Sequence, residues 1–250
     1  KEGEIAITLG GEPRTLDPTL NSLSFGSVYM IHFFEGLTKK DSSDNIVEGM
    51  AESWDISKDG LKYTFHLRTN VKWSDGKPVV ASDFEYAIKR AANPETGASY
   101  SHMLNVIKNA SLVISGKAKV DDLQVKALDD YTLEIVLENP APYFLEYISV
   151  SSPYFPVRKD IVEEFGDEWS RKPETYIVNG PYIITERKTD EKIVMEVNPN
   201  YYAKDEIIAK KITVVIMSDS NTALAAIREG SILFSYLEAP MGEIPTLLKE

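Results

Sequence analysis

The forty residues from Ala51 to Arg90, AESWDISKDGLKYTFHLRTNVKWSDGKPVVASDFEYAIKR, constrain the fold of this chain more tightly than any other stretch. Asp59-Gly60 is a hairpin signal, and beyond it Tyr63, Phe65 and Leu67 alternate with Lys62, Thr64, His66 and Arg68. That period of two belongs to a strand with one face in the core and the other in water. Trp73-Ser74-Asp75-Gly76-Lys77-Pro78 predicts a tight turn in which Gly76 takes a positive φ and Pro78 stops the strand. A helix follows, because Ser82 and Glu85 have the spacing of a capping box and Phe84, Ile88 and Ala91 share one face. Asn93-Pro94 ends it. Two strands, a Trp-bearing turn and a capped helix are thus packed together with few groups suited to covalent chemistry.

The rest of the composition narrows the function classes. With 250 residues, 43% of them apolar, the chain can bury the core of one large or two smaller domains. The absence of Cys excludes a disulfide scaffold, thiolate catalysis and Cys-based metal sites. His32, His66 and His102 have no metal-ligand spacing, and His66 falls on the polar side of its strand, so neither a metal nor another cofactor is expected. A net charge of −12, from 39 acidic and 27 basic residues, repels phosphate backbones and argues against nucleic acid as a partner. No apolar run approaches the roughly 20 residues that span a bilayer. Lys1-Glu2-Gly3-Glu4 is not a signal peptide, which leaves a cytoplasmic protein or one whose export segment has been removed.

Along the chain, Ile5 to Leu9 reads as a strand, Leu16-Asp17-Pro18 as a turn before a polar loop, and Phe25 to Phe34 as a buried helix. Leu37 to Lys39 leads to a polar tip at Asp41 to Asn45. Tyr100 to Ala110 predicts a second helix, and Leu123 to Ala127 with Thr132 to Leu137 a hairpin turning at Asp129-Asp130. Short helices are expected at Tyr143 to Ile148 and Lys159 to Phe165. Strands follow at Tyr182 to Glu186, Ile193 to Val197 and Ile212 to Met217, the last read as central and buried on both faces. Ser220 is positioned to cap a helix ending at Gly230; a short strand, Ile232 to Phe234, and a terminal helix, Glu243 to Lys249, complete the chain.

Patterns that could carry chemistry are weak. Asp41 to Asn45 with Glu52 faintly copies a calcium loop, but its sixth position is Ile46 where the bend needs Gly, so a solvated hairpin tip is favoured. Asn109-Ala110-Ser111 fits a glycosylation sequon and is read as accidental. Asp121-Asp122 and Asp129-Asp130 sit beside turns, with no second group placed opposite them. No G-x-S-x-G, H-E-x-x-H, G-x-x-x-x-G-K or G-x-G-x-x-G occurs, so the chain is not read as an enzyme. Trp54 and Trp73 are assigned to the core.

The order AESW, an aromatic strand ending HLR, then KWSDG, Pro and a DF pair resembles the large solute-binding proteins of bacterial peptide importers, the oligopeptide- and dipeptide-binding family, extracellular solute-binding proteins of family 5. Leu16-Asp17-Pro18, Phe34-Glu35-Gly36-Leu37, Pro142-Tyr143-Phe144, Asn179-Gly180-Pro181-Tyr182 and Asn198-Pro199-Asn200-Tyr201-Tyr202 extend the resemblance over nearly the whole chain. It implies an α/β fold of the periplasmic-binding-protein-like class II, a mixed sheet flanked by helices with a smaller α+β insertion domain. Residues 1–35 and 159–250 would form lobe I, and residues 36–158 the insertion. Members of this family are longer, so the opposing lobe is expected to be missing here.

The implied function is the extracellular receptor of an ABC importer, a monomer that captures an oligopeptide between two lobes and delivers it to membrane permease subunits. It would sit in the periplasm or, lipid-anchored, on the outer face of the cytoplasmic membrane. Recognition of peptides of differing sequence would use their backbone, with side chains in roomy hydrated pockets. By position within the matching motifs, Ser22, Leu23 and Ser24 resemble the main-chain contact loop, and Tyr100 an aromatic that the insertion points toward the cleft. Asp219 and Asn221 resemble a rim segment, with Asp219 able to meet a cationic group, and Tyr236 would lie near the hinge. Each also has a plainer reading: surface or packing for Tyr100, turn for Ser22, helix cap for Asp219. The same scaffold serving a nickel chelate, haem, an oligosaccharide or a signalling peptide is the alternative, and a surface interaction or chaperone-like module the second.

Overall fold

The computed structural model describes residues 3–249, the side chains of Ser24 and Phe25 excepted. A five-stranded mixed sheet is built from β1 (Glu4–Thr8), β8 (Tyr182–Lys188), β9 (Lys192–Val197), β10 (Lys211–Val215) and β11 (Phe234–Ser235), in the order β11-β1-β10-β9-β8. Strands β11, β1 and β10 are parallel, and β9 and β8 follow antiparallel. β10 is central, as expected, but its burial alternates: Ile212 and Val214 are buried while Lys211, Thr213 and Val215 are half-buried. Its Thr and Lys positions leave one face that water reaches, so the strand is not buried on both faces.

The second sheet has four antiparallel strands in the order β4-β5-β7-β6: β4 (Ala51–Ile56), β5 (Lys62–Leu67), β6 (Val125–Asp129) and β7 (Thr132–Val136). Tyr63, Phe65 and Leu67 are buried and Lys62, Thr64 and His66 are not, so the period of two is realised. A small ribbon of β2 (Thr38–Lys40) and β3 (Ile46–Glu48) precedes it. The helices are α1 (Ser24–Phe33), α2 (Ala81–Ala92), α3 (Ala110–Ile114), α4 (Phe144–Val150), α5 (Lys159–Phe165), α6 (Ser220–Arg228) and α7 (Ile244–Leu247). One contiguous cluster of buried apolar residues runs from Ile7 to Val214 through both sheets.

Three local expectations are corrected. Helix α2 begins one residue before Ser82, so the N-cap is Val80, and Asp83 in the first turn accepts the Val80 N–H at 3.0 Å on Oδ2 while the same oxygen accepts the Trp73 indole N–H at 3.0 Å. Glu85 instead accepts the Ala127 N–H and pairs with Lys89. Tyr100 to Ala110 is not one helix: a 3-10 turn at Ser101–Leu104 is followed by Asn109 in the left-handed region, φ 70°, which breaks the chain before α3. Helix α6 is capped by Asp219, which accepts the Thr222 N–H at 2.8 Å, and not by Ser220. Gly76 takes its expected positive φ, 88°.

The sequence motifs converge on one buried polar knot. Glu35, 6% exposed, accepts hydrogen bonds from the hydroxyls of Tyr201 and Tyr202 and from Lys39 Nζ at 3.3 Å. The Arg68 guanidinium stands 5.0 Å from the Tyr202 ring centre. The Glu35 backbone exchanges two bonds with the Asn179 side chain, N–H to Oδ1 at 3.2 Å and Nδ2–H to O at 2.9 Å. Gly180 packs so closely that a Cβ there would lie 2.5 Å from the Phe33 carbonyl carbon. The Trp73 turn docks onto the same region: Ser74 N–H donates to Val178 O, Ser74 Oγ accepts the Val178 N–H, and Asn200 Nδ2 donates to Ser74 O. Trp73 is wholly buried, and Trp54 packs half-buried against the core.

Candidate ligand-binding site

Parallel strands that end side by side leave their carboxyl-terminal loops at one edge, where backbone groups no longer have ladder partners and a ligand can meet them. Here β1, β10 and β11 do this, and two bonds stitch their exits together: Met217 N–H to Gly10 O at 3.1 Å and Tyr236 N–H to Thr8 O at 3.0 Å. The edge therefore carries Asp219 and Asn221 beyond β10, and Tyr236 beyond β11 with 46% of its surface exposed. Beside it, a cavity of about 260 Å3 lies between α6 and residues 235–240.

Asp219 does two jobs with one oxygen. Its Oδ1 accepts both the backbone N–H and the hydroxyl of Thr222 at 2.8 Å, and these bonds, the N–H first, hold its pKa below the ordinary aspartate value. The group stays ionised at the open edge of an acidic chain, a suitable partner for a cation. The helix-cap reading is thus correct in geometry, and Asn221, in the same helical turn, adds its own hydrogen bonds to the carboxylate.

Ser22 and Leu23 lie in the loop between Pro18 and α1, whose shape is set by two residues of the kind that folds its own backbone into a turn. Asp17 Oδ1 accepts the Thr19 N–H at 2.9 Å, and Asn21 Oδ1 accepts the Leu23 N–H at 3.2 Å. Between them Ser22 makes no hydrogen bond with the described residues, and it borders a cavity of about 280 Å3 shared with Arg14, Leu20, Ser170 and Arg187. The Ser24 side chain lies outside the described residues. Tyr100, half-buried, packs its ring edge-on against His102, 6.0 Å between centres; among the described residues no hydrogen bond or ring contact joins it to the other candidates.

Two residues at this loop carry more than their motif suggested. Asp17, read only as part of a turn, is fully buried and receives a two-pronged grip from Arg90, Nη1 to Oδ1 at 3.0 Å and Nη2 to Oδ2 at 2.7 Å, plus the Trp169 indole N–H at 3.0 Å. Asn21, 2% exposed, donates to Ser27 Oγ at 3.0 Å and Ser152 Oγ at 3.4 Å. The available signal was the Asp and Asn pair, each two residues before a residue whose N–H it accepts. Among the described residues there is no group of three or more His, Cys, Asp or Glu placed to hold a metal, and no helix is long and apolar enough to cross a membrane.

Comparison with known proteins places this geometry in context. The model of the bacterial extracellular solute-binding proteins, family 5 Middle, matches residues 45–248. The oligopeptide-binding protein OppA of Bacillus subtilis (strain 168) is 38% identical over 241 residues, 96% of this chain and 44% of that protein. The periplasmic OppA of Salmonella typhimurium (strain LT2) is 38% identical over 243 residues, again 96% of this chain and 44% of the relative. The crystal structure of Haemophilus influenzae OppA in complex with RPPGFSPFR superposes with a TM-score of 0.95 at 34% identity, covering 100% of this chain and 48% of that one. The chain spans about half the length of these relatives.

Proposed function

Because this chain belongs to the bacterial extracellular solute-binding proteins of family 5, we propose that it forms part of a receptor that captures short peptides outside the cytoplasm and hands them to an ATP-driven importer. The fold is the α/β, class II periplasmic-binding type of the OppA structures. The family is one of extracellular or periplasmic binding proteins rather than of enzymes. In our reading no bond is made or broken. Residues 1–35 and 159–250 form one lobe, and residues 36–158 the inserted domain. A second lobe closes over the peptide by hinge motion, and the permease subunits receive it. Localisation follows from that role: the periplasm, or the outer face of the cytoplasmic membrane through a lipid anchor.

The observation that carries the reading is the match of the whole of this chain to about half of an OppA solved with a peptide. In this reading Ser22 and Ser24 meet the peptide backbone, with Leu23, whose own N–H and C=O are taken by Asn21 and Ser27, fixing the loop between them; Asp219 and Asn221 supply polar groups at the strand edge, and Tyr236 and Tyr100 aromatic walls. Native mass spectrometry of the protein purified from its source tests this. Bound masses that resolve into short peptides are expected; a protein that carries none, and takes up none from an equimolar tetrapeptide mixture, overturns it.

A further inference from the structure

The four-stranded unit has no obvious part in an edge built from the other sheet. Two of its side chains nevertheless reach the residues that shape the 19–23 loop. Arg90, near the end of α2, holds both oxygens of Asp17, and Ser152, just past α4, accepts from Asn21 Nδ2. The two gripped residues are those that fold the loop, through the Thr19 and Leu23 amides. Trp169 closes the same arrangement from the returning chain, and the Tyr176 hydroxyl donates to Leu16 O at 2.8 Å.

We infer that Asp17 and Asn21 are positioning residues through which the four-stranded unit sets the conformation of the ligand loop. The physical reason is that each side chain bonds the loop backbone and a distant anchor at once. The same side chain that fixes the loop backbone is held by a group anchored elsewhere: in Asp17 both oxygens by the planar fork of Arg90, in Asn21 the amide nitrogen by the Ser152 hydroxyl. The loop cannot move relative to α2 without breaking a charge-assisted pair in which the Asp17 side chain is 1% exposed and that of Arg90 13%. Asn21 also fills the space over Gly26, where a Cβ would lie 2.1 Å from its Oδ1, so the amide has one seat. Preorganising the loop lowers the ordering cost of binding a flexible peptide. The inference rests on the reading that residues 19–23 touch the ligand.

Hydrogen exchange by mass spectrometry on the chain, wild type against Arg90→Lys, Asn21→Ala and Ser152→Ala, tests the clamp without any ligand. Arg90→Lys keeps the charge and loses the fork; exchange at Thr19 and Leu20 should rise about tenfold, and Asn21→Ala should do the same at Leu23, with Ser152→Ala smaller. Amides of Phe65 and Val194 should not change. Unchanged exchange across residues 19–23 in all three variants, or a rise shared equally by the core amides, overturns the clamp. A second arm titrates each variant, made in the protein as purified from its source, with an equimolar tetrapeptide mixture and expects at least a tenfold affinity loss in Asn21→Ala at a temperature where variant and wild type are both fully folded. Faster loop exchange with wild-type affinity contradicts the positioning role and the ligand reading of this loop. A wild-type protein that binds no peptide refutes the functional reading alone, since the exchange arm still decides the clamp.

Discussion

The polar knot around Glu35 and the open edge around Asp219 are opposites. In the knot, a buried carboxylate, two tyrosine hydroxyls, an ammonium and an asparagine side chain satisfy one another, and the glycine beside them has no room for a methyl group. At the edge, Asp219, Asn221 and Tyr236 face water, and Asp219 is held only by its own helix. Every residue in the knot has few substitutes, because a buried polar group that loses its partner keeps the full desolvation cost. Residues at the edge have many. The part of the chain that identifies the family is therefore the part that answers to folding, and the part proposed to meet the ligand carries little signature.

Substitutions can break that contrast. The largest effect is expected at Gly180→Ala, where the new Cβ meets backbone atoms that cannot yield; a loss of about 4 kcal/mol or failure to fold is expected. Gly242→Ala, with nothing within 4 Å, should change stability by less than about 0.5 kcal/mol. Denaturant midpoints decide both, and similar losses at the two glycines would remove the contrast.

Asp83 comes next. Burial raises its pKa from 3.8 to about 6, so the folded state holds the proton more tightly than the unfolded chain does. Its stabilising contribution is complete below the unfolded value and is lost as pH rises through about 6. Asn accepts the same Val80 and Trp73 bonds without a charge, so the stability of Asp83→Asn relative to wild type should rise by about 3 kcal/mol between pH 3 and pH 8. Urea unfolding at the two pH values measures it; a pH-independent difference would sink the assignment.

Tyr201→Phe withdraws one donor from Glu35 and should cost about 2 kcal/mol, since the carboxylate stays buried. Asp219→Ala at the edge should cost about 1 kcal/mol through the lost cap, and Asp219→Asn only a few tenths. For this pair the sharper readout is peptide affinity, which should fall for both variants because both remove the charge. An Asp219→Asn protein with wild-type affinity would reduce Asp219 to a cap.

Much of the fold was legible in the sequence because period and punctuation carried it. The alternation of Tyr63, Phe65 and Leu67, the positive φ of Gly76 and the stop at Asn93-Pro94 all follow from single residues and their neighbours. What was not legible depends on distant partners. Ser82 looks like a cap, but the N-cap is Val80, and Asp83, held by the Trp73 indole, reaches back from the first turn to its N–H. Asp17 looks like a turn residue, and only Arg90, 73 positions on, and Trp169, 152 positions on, show why it is buried. At the site, the strand exits were foreseeable from β10 and β11; the clamp on the 19–23 loop was not, because each of its bonds to the loop is local and each of its anchors is far away.

The most direct test of the division between knot and edge is a hydrogen-exchange footprint of the protein with and without a saturating equimolar tetrapeptide mixture. Peptide-dependent protection is expected at residues 19–23, 216–221 and 235–240, with residues 71–80 and 198–202 unchanged. Protection concentrated around Trp73 and Tyr201, with the strand exits unaffected, would contradict the account.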